Sequence, residues 1–203
     1  MMTEENMTDL SARSEKIRNG LFLASSRTYG EQYIEPLIRE KFQLGEPLSN
    51  DHDAVDSAGI KYEIKACKVL SETQNGGGSK SLYERVLFEN DNLETSRLVA
   101  FKDRLTTEYL ANIQNVKRDH FTYLFYVLLF EDCIKVFKCH KDDIDSIPRW
   151  SGKHGRYDAL GKSGQFGITK ASIKWHLDNK LITTILYSEA TKIFKKLSAT
   201  NDI

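Results

Sequence analysis

The chain has 203 residues, 40% of them apolar and 29% charged, and its 29 basic and 29 acidic side chains cancel to a formal net charge of zero. That size suits one soluble domain that buries about 70% of its unfolded surface and needs no metal or disulfide staple, and a zero total leaves any nucleic-acid contact to a local basic patch. Glu4, Glu5 and Asp9 replace the basic start of a signal peptide, Tyr123 to Phe130 is too short an apolar run for a bilayer, and three unevenly spaced cysteines point to a reducing, cytoplasmic setting.

Residues 8–25 read as a helix with Leu10, Ile17, Leu21 and Ala24 as its apolar stripe. A second helix is expected over 28–43, with Pro36 either starting its regular part or kinking it. Asp53 to Asp56 and Ile60 to Leu70 read as a strand pair. The second limb alternates, with Ile60, Tyr62, Ile64 and Ala66 facing one way and Lys61, Glu63, Lys65 and Cys67 the other. Gly76-Gly77-Gly78 lies in an expected loop over 74–81, and residues 93–116 are expected to be mainly helical. Phe121 to Phe130 reads as a strand covered on both faces, turning at Glu131-Asp132 into Cys133 to Cys139. A Gly-rich basic segment over 149–176, a short strand at 181–186 and a helix from Ser188 to about Leu197 close an α/β unit.

Glu63-Ile64-Lys65 is the sole Glu-x-Lys in the chain, and strand parity projects its carboxylate and ammonium from one face. Asp178-Asn179-Lys180 has similar spacing but reads as a polar turn. Ser57-Ala58-Gly59 fits a three-residue hairpin loop with glycine at the left-handed position. In that register Asp56 faces Ile60 and Asp53 faces Glu63, with β-carbons about 5 Å apart. Asp51 shares the face of Asp53. Two carboxylates so close repel unless a cation lies between them or one is protonated, and a hard divalent ion with oxygen ligands resolves this. The plainer reading, an exposed salt bridge worth under about 1 kcal/mol, leaves the hairpin geometry and the element order as coincidences.

Asp53, nine residues, then Glu63-x-Lys65 resembles the PD-(D/E)XK nuclease family, which includes many type II restriction endonucleases. Over 28–140 the expected element order is similar too: a helix bearing Gly30, Glu31 and Glu35 precedes the motif, and a helix and an aromatic-rich strand pair follow it. The match departs at His52, where the family name expects proline. The resemblance implies a restriction-endonuclease-like core at 28–140, with a mixed sheet of four or five strands flanked by helices. Residues 1–27 would be a helical extension and 141–203 a DNA-contacting part. It further implies Mg²⁺, with Mn²⁺ as a substitute, held by Asp53, Glu63 and the Ile64 carbonyl. Lys65 would position or activate the attacking water, and 5′-phosphate ends would be left on double-stranded DNA, by a homodimer if this is a restriction enzyme. Glu35, in preference to Glu31, would add a further acid, and Gln114, at the end of the expected helix, would support the site.

Between 149 and 176, Arg149, Lys153, Arg156, Lys162, Lys170 and Lys174 stand against the single acid Asp158, among glycines, with His154 and Gln165 interspersed. Such a loop can follow a phosphate backbone and offer side chains to base edges. Lys68, Lys80 and Arg85, beside the glycine triplet, form a second candidate contact. The histidines and cysteines lack zinc spacing, and no phosphate-binding Gly-Lys-Ser/Thr loop or dinucleotide fingerprint exists, so no nucleotide cofactor is expected. Three readings follow: a type II restriction enzyme, a repair, recombination or mobile-element nuclease with the same site, and a DNA-binding module without hydrolysis.

Overall fold

Alternation and turn chemistry decide the central hairpin. In the computed structural model, which describes residues 4–24, 28–72, 97–153 and 163–200, strands β1 (Ala54–Val55) and β2 (Lys61–Lys68) pair antiparallel with Ala54 opposite Tyr62 and Val55 opposite Lys61. This is the register expected from the loop. Gly59 takes φ 76°, a left-handed conformation that a Cβ disfavours, and its N–H donates to the Asp56 carbonyl (3.0 Å). The Asp56 carboxylate accepts from the Ala58 and Ile60 N–H groups, both at 2.9 Å, and so braces the turn.

On its other side β2 runs parallel to β4 (Tyr123–Leu129), which pairs antiparallel with β5 (Cys133–His140), and β5 pairs with β7 (Leu181–Leu186). The five-stranded sheet therefore has the order β1-β2-β4-β5-β7 and is mixed. Its centre, β4, is buried on both faces, as the continuous apolar run anticipates. Phe125, Val127 and Leu129 pack against helices α1 (Glu4–Leu23), α2 (Glu35–Phe42) and α4 (Tyr187–Thr200). Leu124, Tyr126 and Leu128 face a second core that includes helix α3 (Ile173–Asn179) and a separate two-stranded antiparallel ribbon of β3 (Ala111–Val116) and β6 (Gly164–Ile168). No helix among the described residues is long and apolar enough to cross a membrane.

Pro36 takes the first of its two expected roles, starting the regular helix: a wide π-type turn, Thr28–Ile34, leads into α2, with Pro36 in the first turn, where a missing N–H costs nothing. Other local expectations are corrected. Residues 97–116 are not helical: they hold a short 3₁₀ turn, Phe101–Asp103, and strand β3. Leu105, Tyr109, Ile113 and Val116 have helical spacing, but Ala111, Ile113 and Val116 are buried by the ribbon while the residues between them face out. Part of the 149–176 segment is ordered as β6 and α3. Gly164 lies on β6, and it carries no side chain because the Trp150 ring comes within 2.0 Å of where a β-carbon would lie. Asp178 and Asn179 end α3 and are not a free turn. The glycine triplet lies outside the described residues.

Candidate active site

The site is built where β1 stops. Asp53 immediately precedes β1, and its N–H still donates to the Tyr62 carbonyl (2.9 Å). The next inward-facing donor on that edge of β2, the Ile64 N–H, finds no backbone partner, and Asp53 Oδ2 accepts it at 2.7 Å. The carboxylate thus completes a ladder that the main chain leaves unfinished. Arg39 Nη1 donates to the Asp53 carbonyl (3.3 Å) and Arg39 Nη2 pairs with Glu46 (3.1 Å), so α2 steadies the same residue from behind. Strand parity turns the Ile64 carbonyl toward the same open edge. Two residues on, the Ala66 carbonyl accepts from the Tyr29 hydroxyl (3.1 Å).

Lys65 closes the constellation. Its ammonium forms an ion pair with Glu63 and stands 3.7 Å from Asp53 Oδ2. Side-chain exposures of 8% for Glu63, 22% for Asp53 and 25% for Lys65 make this a half-sheltered group with one side open. Burial alone would lower the Lys65 ammonium, but the Glu63 and Asp53 charges outweigh it and hold it above its ordinary range. Burial pushes the Glu63 carboxyl upward, Lys65 opposes that and Asp53 adds to it. Glu35, the first residue of α2, is raised to about 8, by burial first and by the charge of Asp53 second.

Glu63 and Asp53 share the Lys65 ammonium, and Glu35, which feels the charges of both Asp53 and Lys65, is driven toward its protonated form. That deficit of positive charge suits a hard divalent cation. Among the described residues no three His, Cys, Asp or Glu side chains converge closely enough to hold a metal ion alone. An ion here would rest on Asp53, Glu63, the Ile64 carbonyl and water, the mixed set that Mg²⁺ favours.

A cleft of about 630 Å³ opens over the group, lined by Glu31, Glu35, Asn50, His52, Asp53 and Lys65 among others. His52 is buried at the base of the 47–52 loop, accepts from the Leu48 N–H at 3.3 Å, and is lowered by burial and then by Lys61. It anchors the loop as a neutral ring at the position where the motif expects proline. Beyond Asp51, His120 Nδ1 stands 3.7 Å from the Asp51 carboxylate, and the charge of Lys117 reaches Glu63.

The other expected site residues are scattered. Gln114 lies exposed on β3, on a strand and not at a helix end. Lys68 is corrected as a DNA contact: it is buried, donates to the Phe22 (2.8 Å) and Ala24 (2.7 Å) carbonyls at the end of α1, and sits 4.8 Å from the Tyr29 ring centre. Arg149 and Lys153 are exposed, Gln165 is half-buried on β6, and Lys170 pairs with Glu108. Lys80, Arg85, His154, Arg156 and Lys162 lie outside the described residues. Sequence reasoning passed over Arg39 and Lys117. Arg39 had a signal, since it stands four residues after Glu35 and shares its helix face; nothing local to the sequence marks Lys117. Comparison with protein-family models gives no match to the chain, and comparison with curated proteins gives none either.

Proposed function

We propose that this chain is a Mg²⁺-dependent endonuclease of the PD-(D/E)XK type that hydrolyses phosphodiester bonds in duplex DNA, with a type II restriction enzyme as the specific form. The observation that carries the reading is Lys65 held between Glu63 and Asp53 at the open edge of β2, with the Ile64 carbonyl on that edge. Bound Mg²⁺ would polarise the scissile phosphate and lower the pKa of a coordinated water. Asp53 and Glu63 would hold it, and the Ile64 N–H keeps the Asp53 carboxylate aimed at the edge. Lys65, kept charged by its two partners, serves as a hydrogen-bond donor to oxygens gaining negative charge and orients the attacking water; it is not a proton acceptor. In-line attack leaves a 5′-phosphate and a 3′-hydroxyl. Glu35 is the spare acid of the site. The buried thiols of Cys133 and Cys139 suit a reducing, cytoplasmic setting.

Supercoiled plasmid incubated with the protein and Mg²⁺ tests this. Discrete fragments support a restriction enzyme, and nicking or smearing supports a repair, recombination or mobile-element nuclease. Intact supercoiled DNA across several sequences, with Mn²⁺ tried as well, would leave only a binding module. Lys65→Ala and Glu63→Ala proteins should bind DNA without cutting it.

A further inference from the structure

The two-stranded ribbon has one face in the core and one turned outward, and the outward side chains of its strands are carboxamides. Ala111, Ile113, Val116, Phe166 and Ile168 point inward and are buried. Asn112 and Gln165 are half-buried, and Gln114 and Asn115 are exposed. The register sets Asn112 opposite Gly167, Ile113 opposite Phe166 and Val116 opposite Gly164, so Gln114 and Asn115 together span the position of Gln165. The register shifts between Ile113 and Val116, and Asn115 takes φ 57°, a left-handed conformation that a non-glycine residue adopts at a cost. This bulge puts two neighbouring carboxamides, Gln114 and Asn115, side by side in solvent.

No acidic residue belongs to either strand. Gly167 leaves room for what lies across it: a β-carbon there would come within 2.7 Å of the Leu110 side chain and 4.0 Å of the Arg149 guanidinium. Leu110 and Arg149 are both exposed. One surface thus combines carboxamides that can bond adenine in two places, a guanidinium that can do so with guanine, and an apolar group of the kind that contacts a thymine methyl. The ribbon also lies beside the strand that carries the candidate active site, since β3 contacts β2 and Lys117 directly follows β3.

From this face we infer that the β3–β6 ribbon is the sequence-reading element of the chain, entering the major groove of duplex DNA with Asn112, Gln114, Asn115, Gln165 and Arg149 toward base edges. The inference rests on the proposed nuclease reading for its substrate. The major groove of B-DNA is about 12 Å wide and admits a two-stranded ribbon, whereas the deep, narrow major groove of duplex RNA does not. Lys117, at the end of the ribbon, contacts a phosphate near the bond to be cut.

Selection from a pool of randomised DNA duplexes in Mg²⁺, using full-length Lys65→Ala protein, tests the inference apart from cleavage. The Lys65→Ala protein should enrich one short motif. Adding Gln114→Ala with Asn115→Ala should cut that enrichment about ten-fold or more, with binding to bulk DNA changed by less than about three-fold. The near-isosteric Gln114→Glu and Asn112→Asp should do the same with unchanged melting temperature, which separates recognition from folding. Equal enrichment of the same motif by these variants, or no motif at all from the Lys65→Ala protein, overturns the ribbon's role. The nuclease reading fails separately, if the wild-type chain leaves the selected sequence uncut in Mg²⁺ and in Mn²⁺.

Discussion

Lys65 and Lys68 stand three residues apart on β2, so they leave opposite faces of one strand, and the molecule spends their charges in different ways. Lys68 goes to the face covered by α1, where it donates to the Phe22 and Ala24 carbonyls and lies over the Tyr29 ring. Its ammonium satisfies two carbonyls where a helix ends, that of Phe22 buried and that of Ala24 partly so. Lys65 goes to the other face and meets two carboxylates at an open edge. A cation surrounded by full opposite charges keeps its proton and can be offered to a developing anion, while one surrounded by carbonyl dipoles is fixed as packing. The environment of a lysine, more than its place on a strand, separates chemistry from architecture.

The largest effect should come from Lys65→Ala, with a loss of about 10²–10³-fold or more in cleavage rate and an unchanged far-UV spectrum. A variant that still cuts at the wild-type rate breaks the contrast outright. Lys68→Met should do the reverse. A buried and a partly buried carbonyl lose this donor, at a cost of about 1–3 kcal/mol in chemical denaturation, and cleavage per folded molecule is retained. A fall in cleavage with no loss of stability would move Lys68 to the chemical side.

His176 sharpens the contrast between the faces, since it lies on the same side as Lys65 yet is fully buried and pairs with the Tyr126 hydroxyl at 2.9 Å. Burial lowers it from 6.5 to about 4. The unfolded chain therefore binds this proton more readily than the folded one below pH 6.5. The stability it contributes is complete above pH 6.5 and is lost as pH falls toward 4, by up to about 3 kcal/mol. Denaturation midpoints across that window should slope less for His176→Phe than for the wild type. The smallest effect is expected from Glu35→Gln, which should raise the Mg²⁺ concentration needed for half-maximal cleavage by several-fold while leaving the saturated rate within about two- to three-fold.

The sequence was most legible where one residue type has one use. Gly59 at a left-handed turn position fixed the hairpin register, and the register fixed Asp53 against Glu63. The apolar run at 121–130 could only be a strand covered twice. Legibility failed where a residue type has two uses. Gly164 and Gly167 read as part of a Gly-rich loop, but they are bare because Trp150 lies across the one and Leu110 and Arg149 across the other, approaches that only the folded chain brings about. The carboxamides of β3, poor strand formers, hid a strand whose pairing partner lies about fifty residues away in sequence. The lysine at 68 read as a surface charge because nothing nearby announces that α1 ends beside it.

The brevity of β1 has a spectroscopic consequence. In a complete ladder the amide proton of Ile64 would be guarded by another backbone and would report only on the sheet. Here its acceptor is the carboxylate of Asp53. Its chemical shift and its exchange with solvent are therefore coupled to whatever that carboxylate is doing, whether binding a proton, facing the Lys65 ammonium or binding a cation. One amide resonance in the middle of the motif thus serves as a built-in gauge of the state of the site.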